Sequence, residues 1–221
     1  RTFRKFINAG KFYDVNVIVM GGDIQGKLMI PIIKEPNGHH RATVQGRVEH
    51  LETDEELKAL TGKLDILGFY YKIMEQDEFH ALQAAPDAVH SLFNDLAKQK
   101  LTNWVNLAEE RLNGTGIKCF VTGGNDDEWE VLNVMKKEPT KSFFACENEM
   151  VQVDDNHAMI SIGLSTPTPW KTPREVSEEE LGRMIDEMAA KITDMNNAIF
   201  NFHDPPKDST LDTCPAKASV R

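Results

Sequence analysis

Short apolar runs that end in glycines or a polar residue recur along the 221-residue chain. The clearest are DVNVIVMGGD (14–23), KCFVTGGND (118–126) and AIFNFHDPP (198–206). Brief, largely apolar runs bounded by turn residues are typical of buried strands. Further strands are predicted in FYYKIM, KSFFACE and EMVQVDDNHAMISIGLS, the last with a hairpin turn at Asp155-Asn156.

Helical spacing of apolar residues marks the start of the chain and the segment after residue 53. Phe3, Phe6, Ile7 and Phe12 recur at the spacing of one helical face. Thr53 and Glu56 form the pattern of a capping box, which predicts a helix over about 54–67. Gly68 stands where a C-terminal glycine would end that helix.

Three more helices are predicted further along. Asp77 is expected to cap a short one, and Pro86 to open a long one that Gly114 closes. Ser177 and Glu180 form a second capping-box pattern. The apolar residues after them share one helical face, which is typical of core packing: Leu181, Met184, Ile185, Met188 and Ile192.

Strands that alternate with helices predict an α/β fold. The hydrophobic content of 40% is enough for one substantial core, so we expect a single domain over 1–221. Within it, the region 27–114 is expected to form an inserted lobe of helices and a hairpin. The hairpin is predicted from KLMIPIIK and RATVQGRVEHLE, which flank the turn at Pro36-Asn37-Gly38.

Charge and cysteine content narrow the class of protein. The formal net charge of −10 argues against broad binding to long nucleic acid, which requires basic residues to neutralise phosphates. The sequence contains no run of eighteen apolar residues and no recognisable signal peptide. Its three cysteines lack CxxC spacing and are expected to be reduced thiols of a cytoplasmic protein, with Cys119 in a strand core.

Candidate ligands for metal ions follow three of the predicted strands. Asp23, Asn125 and His203 each stand just beyond an apolar run. Because ligands of α/β folds collect outside the carboxyl ends of strands, these side chains are expected at one edge. A carboxylate that can bridge two ions, an amide oxygen and an imidazole form a mixed N/O set suited to Mn, Fe, Zn or Ni. Two such ions can hold the attacking and leaving oxygens in phosphoryl transfer.

The segments GGD, GGNDD and FNFHDPP resemble central motifs of the calcineurin-like metallophosphoesterase superfamily. The helix-hairpin lobe and the segment STPTPWKTPREVSEEEL look like a prokaryotic branch of that family. The resemblance implies a layered αββα sandwich and hydrolysis of a phosphate monoester or diester by two divalent metal ions (Mn, Fe or Zn). It implies that Asp23 bridges the ions and that Asn125 and His203 each bind one. The implied partner is a small phosphorylated substrate.

The chain departs from the family pattern at both ends and within one motif. The Asp-x-His and Gly-His-x-His motifs are absent, so the sequence is expected to be truncated at both ends and to hold two ions weakly. Asp126 replaces the family's motif histidine, which serves as a general acid. A carboxyl group fills that role only with a raised pKa. Asp126 and Asp127 are therefore the candidate catalytic carboxylates, with Asp127 expected to orient a ligand or cap the next helix.

Simpler interpretations stay open at this point. Taken singly, each acidic turn is an ordinary Asp or Asn turn, and His203 is an ordinary surface histidine. Arg174, in a Pro-rich loop with Trp170 and Thr172, is either a donor to a phosphate or a helix-start or surface ion-pair residue. The whole chain could instead be a non-catalytic interaction module of this fold, or an α/β binding domain with incidental acidic turns.

Overall fold

The structure is a computed structural model that describes residues 2–136 and 139–212. Its helices are α1 (Thr2–Phe12), α2 (Asp54–Leu67), α3 (Gln76–Gln83), α4 (Pro86–Leu112), α5 (Trp129–Leu132) and α6 (Glu178–Ala189). Its strands are β1 (Val17–Gly21), β2 (Met29–Lys34), β3 (His40–Val44), β4 (Arg47–Leu51), β5 (Tyr70–Glu75), β6 (Lys118–Thr122), β7 (Phe143–Ala145), β8 (Glu149–Gln152), β9 (Ala158–Ile162) and β10 (Ala198–Phe202). The fold is therefore α/β. No helix within the described residues is both long and apolar enough to cross a bilayer.

The three clearest apolar runs of the sequence form strands β1, β6 and β10, which belong to two three-stranded sheets. The first has the order β1-β6-β7 and is parallel. The second has the order β10-β9-β8, with β10 parallel and β8 antiparallel to β9. In the first sheet Gly21 pairs with Thr122, and in the second Phe202 pairs with Ile162. Paired parallel strands thus end at the same level, and the loops after them leave from one edge of each sheet.

Strand alternation places different cores on the two faces of these sheets. On β6, Cys119 and Val121 pack with α1 and α4, whereas Phe120 packs with Met159 of β9. On β9, Ile160 and Ile162 pack against α6. Because successive side chains of a strand point to opposite faces, a five-residue apolar run can serve two cores at once.

The third sheet, with the order β4-β3-β2-β5, has a core of its own. Ile32, Val44, Leu60 and Leu64 are buried there between the sheet and α2. Helix α4, in contrast, contributes Ala97, Leu101, Val105, Ala108 and Leu112 to the core of the first sheet. Within 27–114, the separate core is thus formed by residues of β2–β4, α2 and their neighbours.

Several local predictions are confirmed. Thr53 and Glu56 form a reciprocal capping box, and Gly68 ends α2 in the left-handed conformation with φ of 78°. Of the second predicted capping box, one half is formed: the Ser177 side chain accepts a hydrogen bond from the Glu180 N–H at the start of α6. The hairpin around Pro36-Asn37-Gly38 pairs β2 with β3.

Two local predictions are wrong. Asp77 lies in the first turn of α3, and Glu75 holds the N-cap position because β5 continues into the helix. The segment RATVQGRVEHLE forms two strands, because Gln45-Gly46 makes a tight turn in which both residues have positive φ.

Candidate metal centre

The structure brings Asp23, Asn125 and His203 together at the carboxyl ends of β1, β6 and β10. Nε2 of His203 lies 3.1 Å from Oδ1 of Asn125 and 3.4 Å from Oδ1 of Asp23. His203 is 78 residues from Asn125 and 180 residues from Asp23 along the chain. The side chain of Asp23 is 46% exposed and that of His203 is 21% exposed, so the group is open to a ligand from solvent.

The hydrogen bond made by Nδ1 determines which nitrogen of the neutral His203 ring carries the proton. Nδ1 lies 3.1 Å from the carbonyl oxygen of Gly21. Since a carbonyl oxygen can only accept, Nδ1 carries the proton and donates it. In the neutral ring Nε2 is then an acceptor, pointed at Asn125 and Asp23. Metal-binding histidines are commonly oriented in this way by a backbone carbonyl.

The amide of Asn125 is oriented by a chain of hydrogen bonds. Its Nδ2 donates to Oγ1 of Thr172 at 3.0 Å, and Oγ1 donates to Oε1 of Glu175 at 2.8 Å. Because the single hydroxyl proton of Thr172 goes to Glu175, that hydroxyl accepts from Asn125. Hydrogen bonds from the Thr168 hydroxyl and the Thr172 N–H lower the pKa of Glu175 to about 2. The amide oxygen of Asn125 therefore faces His203.

Three acceptor atoms thus face one another: a carboxylate oxygen, an amide oxygen and an imidazole nitrogen. A divalent cation between them would relieve their mutual repulsion. Two ligands at right angles on one ion, with bonds of about 2.1 Å, are separated by about 3.0 Å. The two separations measured from Nε2 are close to that value, which is the spacing expected for ligands of one divalent ion. A second ion would find only the other oxygen of Asp23 in this group.

Two glycines make the close approach possible. Gly22 has φ of 122°, and a Cβ there would lie 2.5 Å from Nδ1 of His203. A Cβ on Gly124 would overlap the carboxylate of Asp23 and the ring of His203. Asp23 itself adopts a left-handed conformation with φ of 50°, which Asp tolerates better than most residues. Gly22 and Gly124, one from each Gly-Gly pair of the sequence, therefore permit the three candidate ligands to come close together.

Asp127 is buried behind the turns that carry these ligands. Its carboxylate accepts hydrogen bonds from the backbone N–H groups of Ile24 at 3.1 Å, Gln25 at 2.8 Å and Gly124 at 2.6 Å. Desolvation raises its pKa, and the three hydrogen bonds oppose that shift. A carboxylate in this position holds the turn after β1 against the turn after β6, and it is not exposed to a substrate.

Asp126 lies on the outer side of the same turn and forms an ion pair with Lys27. Both side chains are partly exposed, so the pair is at the rim of the site. The catalytic role of Asp126 stays a prediction.

A buried ion pair joins the two sheets beneath the centre. Glu147, just after β7, accepts hydrogen bonds from the N–H groups of Gly123 at 3.0 Å and Gly163 at 3.1 Å. It also accepts from the Thr122 hydroxyl and from Nη2 of Arg174. It therefore ties together the turns that follow β6 and β9.

Arg174 is only 1% exposed, which removes it as a surface donor to phosphate. Its guanidinium lies 4.2 Å from the ring centre of Trp129, and its backbone N–H donates to the carbonyl of Asn125 at 3.0 Å. Arg174 does form an ion pair, with Glu147, but the pair is buried and not at the surface as expected. Trp170 of the same loop is 75% exposed, and Thr172 orients Asn125.

Sequence reasoning missed Glu147. The signal that could have found it is the one that found the candidate ligands, a polar or charged residue directly after an apolar run, here in SFFACE. Cys119 and Cys146 are buried, as expected for Cys119, whereas Cys214 lies outside the described residues. Over residues 2–136 and 139–212, no group of three or more His, Cys, Asp or Glu side chains is placed to hold a metal ion. The centre depends on the amide of Asn125 as its third ligand.

Comparisons of the chain with models of protein families, with curated proteins and with solved structures give no match. The assignment of a function therefore depends on the geometry of the site.

Proposed function

We propose that this chain hydrolyses a phosphate monoester or diester with divalent metal ions (Mn, Fe or Zn) held at Asp23, Asn125 and His203. The observation that carries the proposal is the convergence of three acceptor atoms around Nε2 of His203 at 3.1 and 3.4 Å. When bound, a divalent ion supplies a Lewis acid that neutralises charge developing on phosphoryl oxygens.

The surroundings of the three ligands support this assignment. The carbonyl of Gly21 fixes the tautomer of His203, and Thr172 fixes the amide of Asn125. The succession of cores, from α1 and α4 through both sheets to α6, is also what a layered αββα sandwich of the metallophosphoesterase type requires.

The first test is direct titration with Mn²⁺ or Zn²⁺ by calorimetry, together with hydrolysis of 4-nitrophenyl phosphate and bis(4-nitrophenyl) phosphate. Asp23→Asn is expected to weaken metal binding and turnover by about 100-fold, because it removes the only anionic ligand of the three. Asp77→Asn makes the same change on α3 and serves as the matched control. Equal metal affinity in Asp23→Asn and wild type would overturn the proposal.

A second test, with a smaller expected effect, changes Thr172, which orients the amide of Asn125. Thr172→Val keeps the shape of the side chain but removes the acceptor of the amide N–H. Loss of such an orienting hydrogen bond is expected to weaken metal binding by about 10-fold. The variant leaves Asp23 and His203 intact, so unchanged affinity would show that the amide oxygen of Asn125 is not a ligand.

A second candidate function is a non-catalytic interaction module that retains this fold. It is favoured by the donor set itself, because among the described residues a second ion finds no His, Cys, Asp or Glu cluster to hold it. In that case one ion would bind with no turnover of either nitrophenyl ester. The same pair of measurements therefore separates the two functions.

A further inference from the structure

The loop over residues 166–175 contacts the turn that carries Asn125 at two points. The Thr172 hydroxyl accepts a hydrogen bond from Nδ2 of Asn125 at 3.0 Å, and the Arg174 N–H donates to the Asn125 carbonyl at 3.0 Å. Both the backbone and the side chain of Asn125 are thus held by this loop. A displacement of the 166–175 loop would consequently move the amide oxygen of Asn125 away from its position beside His203.

The opposite end of the loop is bound to the residue after His203. The N–H and the hydroxyl of Thr166 both donate to Oδ2 of Asp204, at 2.8 and 3.0 Å. Pro205-Pro206 follows, and neither proline has an N–H group that could pair with the loop. Among the described residues, no other hydrogen bond joins the loop to the segment 203–212. The connection between the loop and this segment therefore depends on the carboxylate of Asp204.

Hydrogen bonds within the loop link its two ends. Glu175 accepts from the N–H and the hydroxyl of Thr172, each at 2.8 Å, and from the hydroxyl of Thr168. The residues that flank the loop pair with each other, because the Val176 N–H donates to the Ser165 carbonyl at 3.0 Å. Since the middle and the base of the loop are both cross-linked, a displacement at one end reaches the other.

We propose that Asp204 is a positioning residue, which sets the spacing between His203 and Asn125 through its hydrogen bonds to Thr166. The separation of 3.1 Å between Nε2 of His203 and Oδ1 of Asn125 is then maintained by the 166–175 loop, which is bound to both turns. Functional sites require their residues to be held to within about 0.5 Å. The inference rests on the proposed function in one respect, that these two atoms are metal ligands.

The test compares two substitutions of Asp204. In Asp204→Asn the amide oxygen can still accept from the N–H and the hydroxyl of Thr166, whereas Asp204→Ala has no acceptor. Asp204→Ala is expected to bind Mn²⁺ about 10-fold more weakly than the wild type in calorimetry, a typical loss when a residue that orients a ligand is removed. Asp204→Asn is expected to retain the wild-type affinity. Equal losses in both variants would show that Asp204 acts through its charge, which would overturn the proposal.

Asp194→Ala is the matched control at the other end of β10. The Asp194 carboxylate also accepts two hydrogen bonds, from the Asn196 N–H at 3.1 Å and from Nδ2 of Asn197 at 2.8 Å. It lies before the amino end of the strand, whereas the site lies beyond the carboxyl end. Its removal is expected to leave the affinity for Mn²⁺ unchanged. A loss equal to that of Asp204→Ala would mean that destabilisation of β10 accounts for both effects, and the positioning role would be refuted.

A second measurement requires neither metal nor turnover. Amide hydrogen exchange, followed by NMR, reports on the N–H groups of Thr172 and Arg174, which donate to Glu175 and to Asn125. Both are expected to lose protection in Asp204→Ala and to keep it in Asp204→Asn.

The two measurements separate the positioning role from the proposed function. Unchanged protection in Asp204→Ala would overturn the positioning role whatever the metal affinity. Metal binding that is equally strong in the wild type and in both variants of Asp204 would overturn the positioning role and leave the proposed function intact. The expected exchange pattern in a protein that binds neither Mn²⁺ nor Zn²⁺ would support the coupling of the loop to Asp204 and overturn the proposed function.

Discussion

Glu147→Gln tests the buried ion pair that joins the two sheets under the site. One oxygen of Glu147 accepts from Thr122 and Gly123, and the other accepts from Gly163 and Arg174. A glutamine can keep only one of these oxygens. Whichever way the amide is turned, its NH₂ group faces two donors.

The expected cost arises from the groups that lose their partner. Arg174 is 1% exposed, and its Nε and Nη1 have no partner among the described residues. Breaking a buried pair by neutralising one member leaves an uncompensated charge and costs about 3–5 kcal/mol. With a urea m value of about 3 kcal/mol/M, a loss of about 4 kcal/mol lowers the unfolding midpoint by about 1.3 M.

Urea denaturation followed by circular dichroism measures this shift. Glu149→Gln is the matched control, two residues along the chain. Glu149 pairs with Lys136, but its side chain is 48% exposed, and an exposed pair contributes about 0–1 kcal/mol. The double variant Glu147→Gln/Arg174→Met is expected to lose less stability than the sum of its single variants, because no lone buried charge remains.

Equal midpoints for Glu147→Gln and Glu149→Gln would refute this reasoning. Such a result would mean that Glu147 is solvated and that the turns after β6 and β9 are held together by other contacts. We also expect Glu147→Gln to bind Mn²⁺ more weakly than the wild type, because the Arg174 backbone N–H supports the loop that bears Asn125.

Three further predictions concern the rest of the fold. A Cβ added at Gly62, within α2, would meet no neighbouring group of the described residues within 4 Å, so Gly62→Ala should raise the free energy of unfolding by about 0.5–1 kcal/mol in the same denaturation assay, and a loss would contradict the open site. Hydrogen bonds from the Glu52 and Thr53 N–H groups lower the pKa of Glu56, so its stabilising effect is present above its unfolded value of 4.5 and is lost as pH falls through the lower folded pKa. The difference in melting temperature between wild type and Glu56→Gln should accordingly narrow as pH falls below about 4.5, and a constant difference would exclude the linkage. Burial raises the pKa of Cys119 to about 12 and that of Cys146 to about 11, so in a Cys214→Ser background neither thiol should react with Ellman's reagent at pH 8 until the protein is unfolded.

Local features of the sequence were enough to place most of the elements and the three candidate ligands. The capping box at Thr53 and the left-handed Gly68 depend on residues within one helical turn, so their patterns are readable from the chain alone. The positions of Asp23, Asn125 and His203 were predictable because apolar runs bounded by turn residues mark strand ends, and parallel strands end at a shared edge. The turn at Gln45-Gly46 was missed because its hairpin depends on positive φ at a residue without a strong turn preference.

Only the tertiary structure decided the contacts between distant segments of the chain. The proton position on His203 depends on a carbonyl 182 residues away, and the burial of Arg174 depends on a carboxylate 27 residues away. Such contacts are set by how strands pair and layers pack, whereas the residue types alone permit either an exposed or a buried side chain. The sequence by itself determined which residues reach the sheet edge, and the packing determined which atoms they present there.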